Sequence, residues 1–141
     1  MLTTQLKYGI PDVDLPLNCG GTVNPSCFAG HQLVVLFLPK DRGRQNAECE
    51  SYNKLAAELS GTDAWILVIG DETPSKGDTG TRVALDPDEK AWRAFKEVAG
   101  DPKLDRAAGA AFFFTRGGAF HRVWQGCGNA DAVVQELLSR L

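Results

Sequence analysis

Six consecutive apolar residues, Leu33-Val34-Val35-Leu36-Phe37-Leu38, end at Pro39. A half-buried strand would alternate apolar and polar residues, whereas an unbroken run suits a central strand covered on both faces. A second run, Trp65-Ile66-Leu67-Val68-Ile69, comes after a helical stretch from about Gln45 to Leu59, which Ser60-Gly61 ends. Strands joined by so long a crossover run parallel, through a right-handed helical connection. The pair predicts a sheet with helices on its faces.

The other elements fit around it. Leu15-Pro16-Leu17 and Thr22-Val23 flank Asn18-Cys19-Gly20-Gly21 and read as a short N-terminal β-hairpin. Asp71 to Gly80 is a polar loop, Arg82 to Leu85 a short strand stopped by Asp86-Pro87. From Asp88, read as an N-cap, Ala91, Trp92, Phe95, Val98 and Ala99 share one helical face. Ala110–Thr115 and Ala119–Trp124 are strands joined through Arg116-Gly117-Gly118, so they pair antiparallel. A last helix starts near Asn129 and aligns Val133, Val134, Leu137, Leu138 and Leu141. The order is hairpin-β-α-β-α-β-β-α, an α/β fold with a mixed central sheet and helices on both faces. No repeat or linker divides residues 1–141, so one domain is expected.

The bulk properties exclude several classes. A net charge of -3, with no Lys/Arg run outweighing its acidic neighbours, argues against nucleic acid or an anionic membrane as partner. No run approaches the ~18 apolar residues of a membrane span. Met1 to Lys7 lacks a signal peptide's apolar core, so the cytoplasm is the expected location. Cys19, Cys27, Cys49 and Cys127 form no CxxC pair, and neither His31 nor His121 lies at ligand spacing from them. No metal site is expected. Cys19 and Cys27 flank a glycine turn at a spacing that allows a bridge, and a reducing compartment favours two thiols.

Arg42-Gly43-Arg44 reads as a solvated basic loop, Asn46 as a helix N-cap, and Asp71-Glu72 as a solvated acidic pair. Phe112-Phe113-Phe114, Trp65 and Trp92 have core spacing, while Trp124 at a strand end is placed to line a pocket. The chemistry centres on Cys49, read in the first turns of a helix that follows a buried strand. Free N–H groups and the macrodipole favour a thiolate there. Cys127, between Gly126 and Gly128, has the flexibility of a resolving thiol. Against this, Cys49, Tyr52, Ala56 and Leu59 fall at i, i+3, i+7 and i+10, which puts Cys49 on the helix's apolar stripe, where burial raises a thiol's pKa.

Gly30-His31-Gln32 through Pro39-Lys40-Asp41, Val68-Ile69-Gly70-Asp71, Leu85-Asp86-Pro87-Asp88 and Ala111-Phe112-Phe113-Phe114-Thr115-Arg116-Gly117-Gly118 resemble segments of the AhpC/TSA-type peroxiredoxins. Pro11-Asp12, Leu15-Pro16-Leu17 and Trp124 extend the likeness over most of the chain. It implies the thioredoxin-like (peroxiredoxin-like) fold. The family sets its attacking cysteine in a Pro-x-x-x-Thr-x-x-Cys pattern. Counted from Pro39 without gaps, the threonine falls on Gly43 and the cysteine on Asn46. Cys49 fills the place with a loop three residues longer. The family's arginine falls on Gly109, with Arg106 the nearby substitute.

Two functions follow. In one, the chain is a thiol oxidoreductase that reduces hydroperoxides or disulfides. Cys49 attacks, Arg106 assists and Cys127 resolves, with no cofactor and a thioredoxin- or glutathione-type reductant as partner. In the other, it is a redox-silent thioredoxin-fold module that binds a protein or small-molecule partner. The resemblance also implies a homodimer.

Overall fold

The computed structural model describes residues 9–18, 20–71 and 83–140. A two-residue hairpin, β1 (Leu15–Pro16) with β2 (Thr22–Val23), precedes the main sheet. The chain then forms β3 (Gln32–Phe37), α1 (Arg42–Glu58), β4 (Ala64–Gly70), β5 (Val83–Leu85) and α2 (Lys90–Ala99). It closes with β6 (Ala110–Phe114), β7 (Phe120–Gln125) and α3 (Ala130–Leu138). Short 3₁₀ turns cover Pro25–Phe28 and Arg106–Ala108. The element order differs from hairpin-β-α-β-α-β-β-α by one strand, β5, which falls in the segment read as a short strand.

The five-stranded sheet runs β5-β4-β3-β6-β7. β3, β4 and β5 run parallel and β6 runs antiparallel to its neighbours β3 and β7, so the sheet is mixed as the loop lengths required. Both faces of β3 are buried because each meets helix. Leu33, Val35 and Phe37 join Phe112, Phe114, Trp92 and Phe95 on the α2 side. Val34 and Leu36 join Phe113, Cys49, Tyr52, Leu55, Val133 and Leu137 beneath α1 and α3. On the first side Phe37 meets Trp92 at 5.1 Å, Phe95 at 5.4 Å and Phe112 at 5.6 Å, all edge to face. This is the geometry that ring quadrupoles favour.

The structure corrects the helix starts. α1 begins at Arg42 because Asp41, not Asn46, is its N-cap: the Arg44 backbone N–H donates to Asp41 Oδ1 at 3.1 Å. Capping outweighs the low helix propensity of Gly43. Arg42-Gly43-Arg44 is therefore helix rather than loop, and Cys49 lies two turns inside instead of in the first turns. The buried face comprises Gln45, Glu48, Cys49, Tyr52 and Leu55, while Ala56 is exposed. For α2 the main capping carboxylate is Asp86, while Asp88 Oδ1 accepts only the Lys90 N–H at 3.3 Å. Fully buried, Asp86 accepts from Ala91 N at 3.0 Å and Trp92 N at 2.9 Å. Asp86→Ala is expected to cost ~2 kcal/mol in urea unfolding, and Asp86→Asn, which keeps an acceptor, clearly less.

Other expectations shift with position. Trp92 is buried, but Trp65 is 50% exposed, against Phe28 and His31. β5 pairs only with Val68–Gly70, so the start of β4 has no outer neighbour strand among the described residues. Trp124 is packed in the core under α1 and α3. Leu138 points outward at 53% exposure, while Val133 and Leu137 carry the buried stripe of α3. Met1–Lys7, Cys19 with its pairing to Cys27, the 72–80 loop, Arg82 and Leu141 lie outside the described residues. No described helix is long and apolar enough to cross a membrane.

Candidate functional site

The parallel strands β3 and β4 end at the same edge of the sheet, where Leu38-Pro39-Lys40 leads into α1 and Gly70 leads into Asp71. Crevices at the carboxyl ends of parallel strands are the usual ligand positions in α/β sheets. Two further segments close this edge. The Arg106–Ala108 turn is tied to it by Lys40 N donating to Ala107 O at 2.9 Å. The Gly126–Gly128 loop is tied by Gly126 N donating to Gly109 O at 2.8 Å and Gly128 N to Glu48 Oε1 at 2.7 Å. The fold thus brings Arg106 and Cys127, distant in sequence, to one end of the sheet.

Arg106 is buried there, 6% exposed. Its Nη1 donates to Leu38 O at 2.5 Å and its Nη2 to Asp71 Oδ1 at 3.0 Å. The guanidinium lies 5.5 Å from the Phe37 ring and 6.0 Å from the Trp92 ring, while buried Nε has no hydrogen-bond partner. Asp71 also faces Lys40 Nζ at 3.5 Å, and Lys40 donates to Glu89 Oε2 at 2.9 Å. The bond to Glu89 holds the Lys40 ammonium above its ordinary pKa, and the same bond holds the Glu89 carboxyl below its own. Two cations and two carboxylates are therefore interlocked, and Asp71 belongs to a network rather than to a solvated acidic pair.

Gly109 cannot host the arginine that sequence alignment places on it. Its φ of +82° is a left-handed conformation, and an added Cβ would meet Phe37 O at 2.8 Å and Pro39 N at 3.0 Å. Glycine is required because the backbone before β6 crosses β3 at contact distance.

The helix start offers no thiol. The first turns of α1 hold Arg42, Gly43, Arg44, Gln45 and Asn46, and the macrodipole's effect fades within the first turn. Cys49 is 1% exposed and packs with the sheet and α3. Burial pushes its thiol pKa up, and the neighbouring Glu48 charge pushes it further. Cys127 is half-buried in its loop, and both Cys49 and Cys127 are free thiols. Among the described residues no three His, Cys, Asp or Glu side chains converge as metal ligands.

Sequence reasoning missed Glu48 as the anchor of the Cys127 loop and Asp71 as the partner of Arg106. Asp71 carried a usable signal, since it is the residue after a buried parallel strand. Glu48 carried none, because its partner is a backbone amide 80 residues away.

No family model matches the chain, and no curated protein matches it. Solved structures do. Xanthomonas campestris peroxiredoxin Q shares 25% identity over 92% of each chain, with a TM-score of 0.74. The bacterioferritin comigratory protein of the same organism, whose structures concern alkyl peroxide reduction, shares 24% over 91% of each, with a TM-score of 0.71. A DsbE-type thiol:disulfide interchange protein of Chlorobium tepidum shares 19%, covering 96% of this chain and 98% of its own, with a TM-score of 0.71. The chain has the thioredoxin-like fold, and over most of its length its structure is similar to that of peroxiredoxin Q.

Proposed function

We propose that the chain is a redox-silent binding module built on the peroxiredoxin frame, which takes a protein or small-molecule partner over the carboxyl edge of β3 and β4. The carrying observation is Cys49, 1% exposed and two turns inside α1, with no cysteine at the turn where a thiolate would be stabilised. The state of Arg106 supports the same reading. Its guanidinium is 6% exposed and gives two N–H groups to Asp71 and Leu38 O, so an anion has little access to the donors that remain.

One observation favours the second reading, a thiol oxidoreductase that reduces hydroperoxides or disulfides with a thioredoxin- or glutathione-type donor. The Glu48–Gly128 bond seats the Cys127 loop against α1, one residue from Cys49. In that chemistry the Cys49 thiolate attacks a peroxide oxygen, the O–O bond breaks, and an alcohol or water leaves with the proton. The Cys127 thiol then displaces water from the sulfenic acid to form a disulfide.

Mixing the reduced protein with a small molar excess of hydrogen peroxide, then reading intact mass and peptide maps, separates the two. The expected result is an unmodified Cys49. Rapid sulfenic acid on Cys49, or a Cys49–Cys127 disulfide, would establish the second reading instead.

A further inference from the structure

The junction of α1, the end of β7 and the Gly126–Gly128 loop is the least satisfied polar region of the described interior. Glu48 is 4% exposed, takes the Gly128 N–H on Oε1, and leaves buried Oε2 without a hydrogen-bond partner. Tyr52, one turn further along the same face, is 2% exposed with an unpartnered hydroxyl. Trp124, two residues before the loop, is 8% exposed with an unpartnered indole N–H. A buried carboxylate held by one neutral amide is costly, and a carboxylic acid in the same place costs much less. The loop is bracketed by glycines at φ +83° and +80°, which give it room to move, and it leads directly into α3.

We propose that Glu48 is a proton-operated latch on the Gly126–Gly128 loop, closed while its carboxyl is protonated and loosened when it ionises, so that the seam between α1 and α3 opens as pH rises. In the closed state the carbonyl oxygen of the neutral acid accepts from Gly128, and no buried charge has to be held. In the open state water reaches the carboxylate along the cleft of about 300 Å³ lined by Ser51, Lys54, Leu55, Glu58, Gly128 and Asp131.

The titratable and charged groups around Glu48 come from α1, β7, α3 and the loop, and burial outweighs those that favour its ionised form. Cys49 and Tyr52 lie near Glu48 on α1; burial first and the Glu48 charge second raise the pKa of both, so both stay neutral while Glu48 titrates. Lys54 and Glu58 of α1 and Asp131 of α3 line the cleft, and Cys127 belongs to the loop itself. Arg122 of β7 stacks at 5.0 Å from the Trp124 ring and pairs with Glu136 of α3. Burial raises the Glu48 pKa more than the Gly128 bond lowers it. For an acid whose folded pKa lies above its unfolded value, the stabilisation is complete below the unfolded pKa and is lost as pH rises through the folded one.

Hydrogen–deuterium exchange of the full chain between mildly acidic and mildly alkaline pH tests this. The readout is the protection factor of the Gly128 amide against the β6 amides as internal reference. In the wild type, Gly128 protection is expected to fall on the order of tenfold across the range while β6 holds. Glu48→Gln, which keeps a carbonyl acceptor and cannot ionise, should stay protected throughout, and Glu48→Ala should be unprotected throughout. Should Glu48→Ala fail to fold, the comparison of wild type with Glu48→Gln decides alone. Wild-type protection that is flat with pH, or a Glu48→Gln profile that falls with the wild type's, would overturn the latch.

Discussion

Gly109→Ala is expected to lower the unfolding free energy by ~3 kcal/mol or more, read as a fall of about 10 °C in Tm by circular dichroism. Two effects add. The new Cβ would sit 2.8 Å from Phe37 O and 3.0 Å from Pro39 N, both backbone atoms at the end of the central strand. Neither can swing aside, because Phe37 pairs with Ile69 on one side and Ala110 on the other. The φ of +82° with ψ of 169° also belongs to a region that L-residues avoid, adding strain on the order of 1–3 kcal/mol. Gly109→Arg, the substitution that would rebuild the family's arginine by alignment, should destabilise at least as much and restore no peroxide reactivity. A Tm change within about 3 °C of wild type for Gly109→Ala would mean that this crossing is looser than its distances imply.

That glycine shows where the sequence could and could not be read. The strands were legible because their signals are local and strong. Unbroken apolar runs at Leu33–Leu38 and Trp65–Ile69, and a glycine turn at Arg116–Gly118, leave few ways to build the sheet. Helix starts were harder, since several residues compete for each cap. Asp41 and Asn46 both qualify by type, and only the observed Arg44 N–H to Asp41 bond decides. Asp86 surpassed Asp88 for a similar reason, being drawn into the core by the turn at Pro87. Trp65 was misplaced because periodicity reports a face and not how far a neighbouring strand extends. The candidate site was legible only in its parts: Arg106, Cys49 and Cys127 were each singled out, but the Arg106–Asp71 pair and the Gly128–Glu48 bond depend on long-range topology. The apolar stripe of α1 had already placed Cys49 on a buried face, and Cys49 is 1% exposed although Ala56 of the same stripe is exposed.

Arg106→Ala is expected to cost ~3–5 kcal/mol, measured as a lower urea midpoint with an unchanged m-value. Truncation would strip the Leu38 carbonyl of its donor, leave Asp71 with the weaker Lys40 contact at 3.5 Å, and remove the planar group lying against Phe37 and Trp92. Arg106→Lys should recover less than half of that loss, because a single ammonium cannot reach the carbonyl and the carboxylate together in the guanidinium's fork. The same pair of variants separates the two roles assigned to this residue. As a brace between the Leu38–Lys40 turn and Asp71, Arg106 matters to stability first, and peroxide oxidation of native-state thiols in Arg106→Lys should match wild type at temperatures where both are folded. As a group that assists an attacking thiol, it would slow that oxidation in a fully folded Arg106→Lys protein. The stability loss with unchanged thiol chemistry is the outcome that its engaged, buried guanidinium leads us to expect.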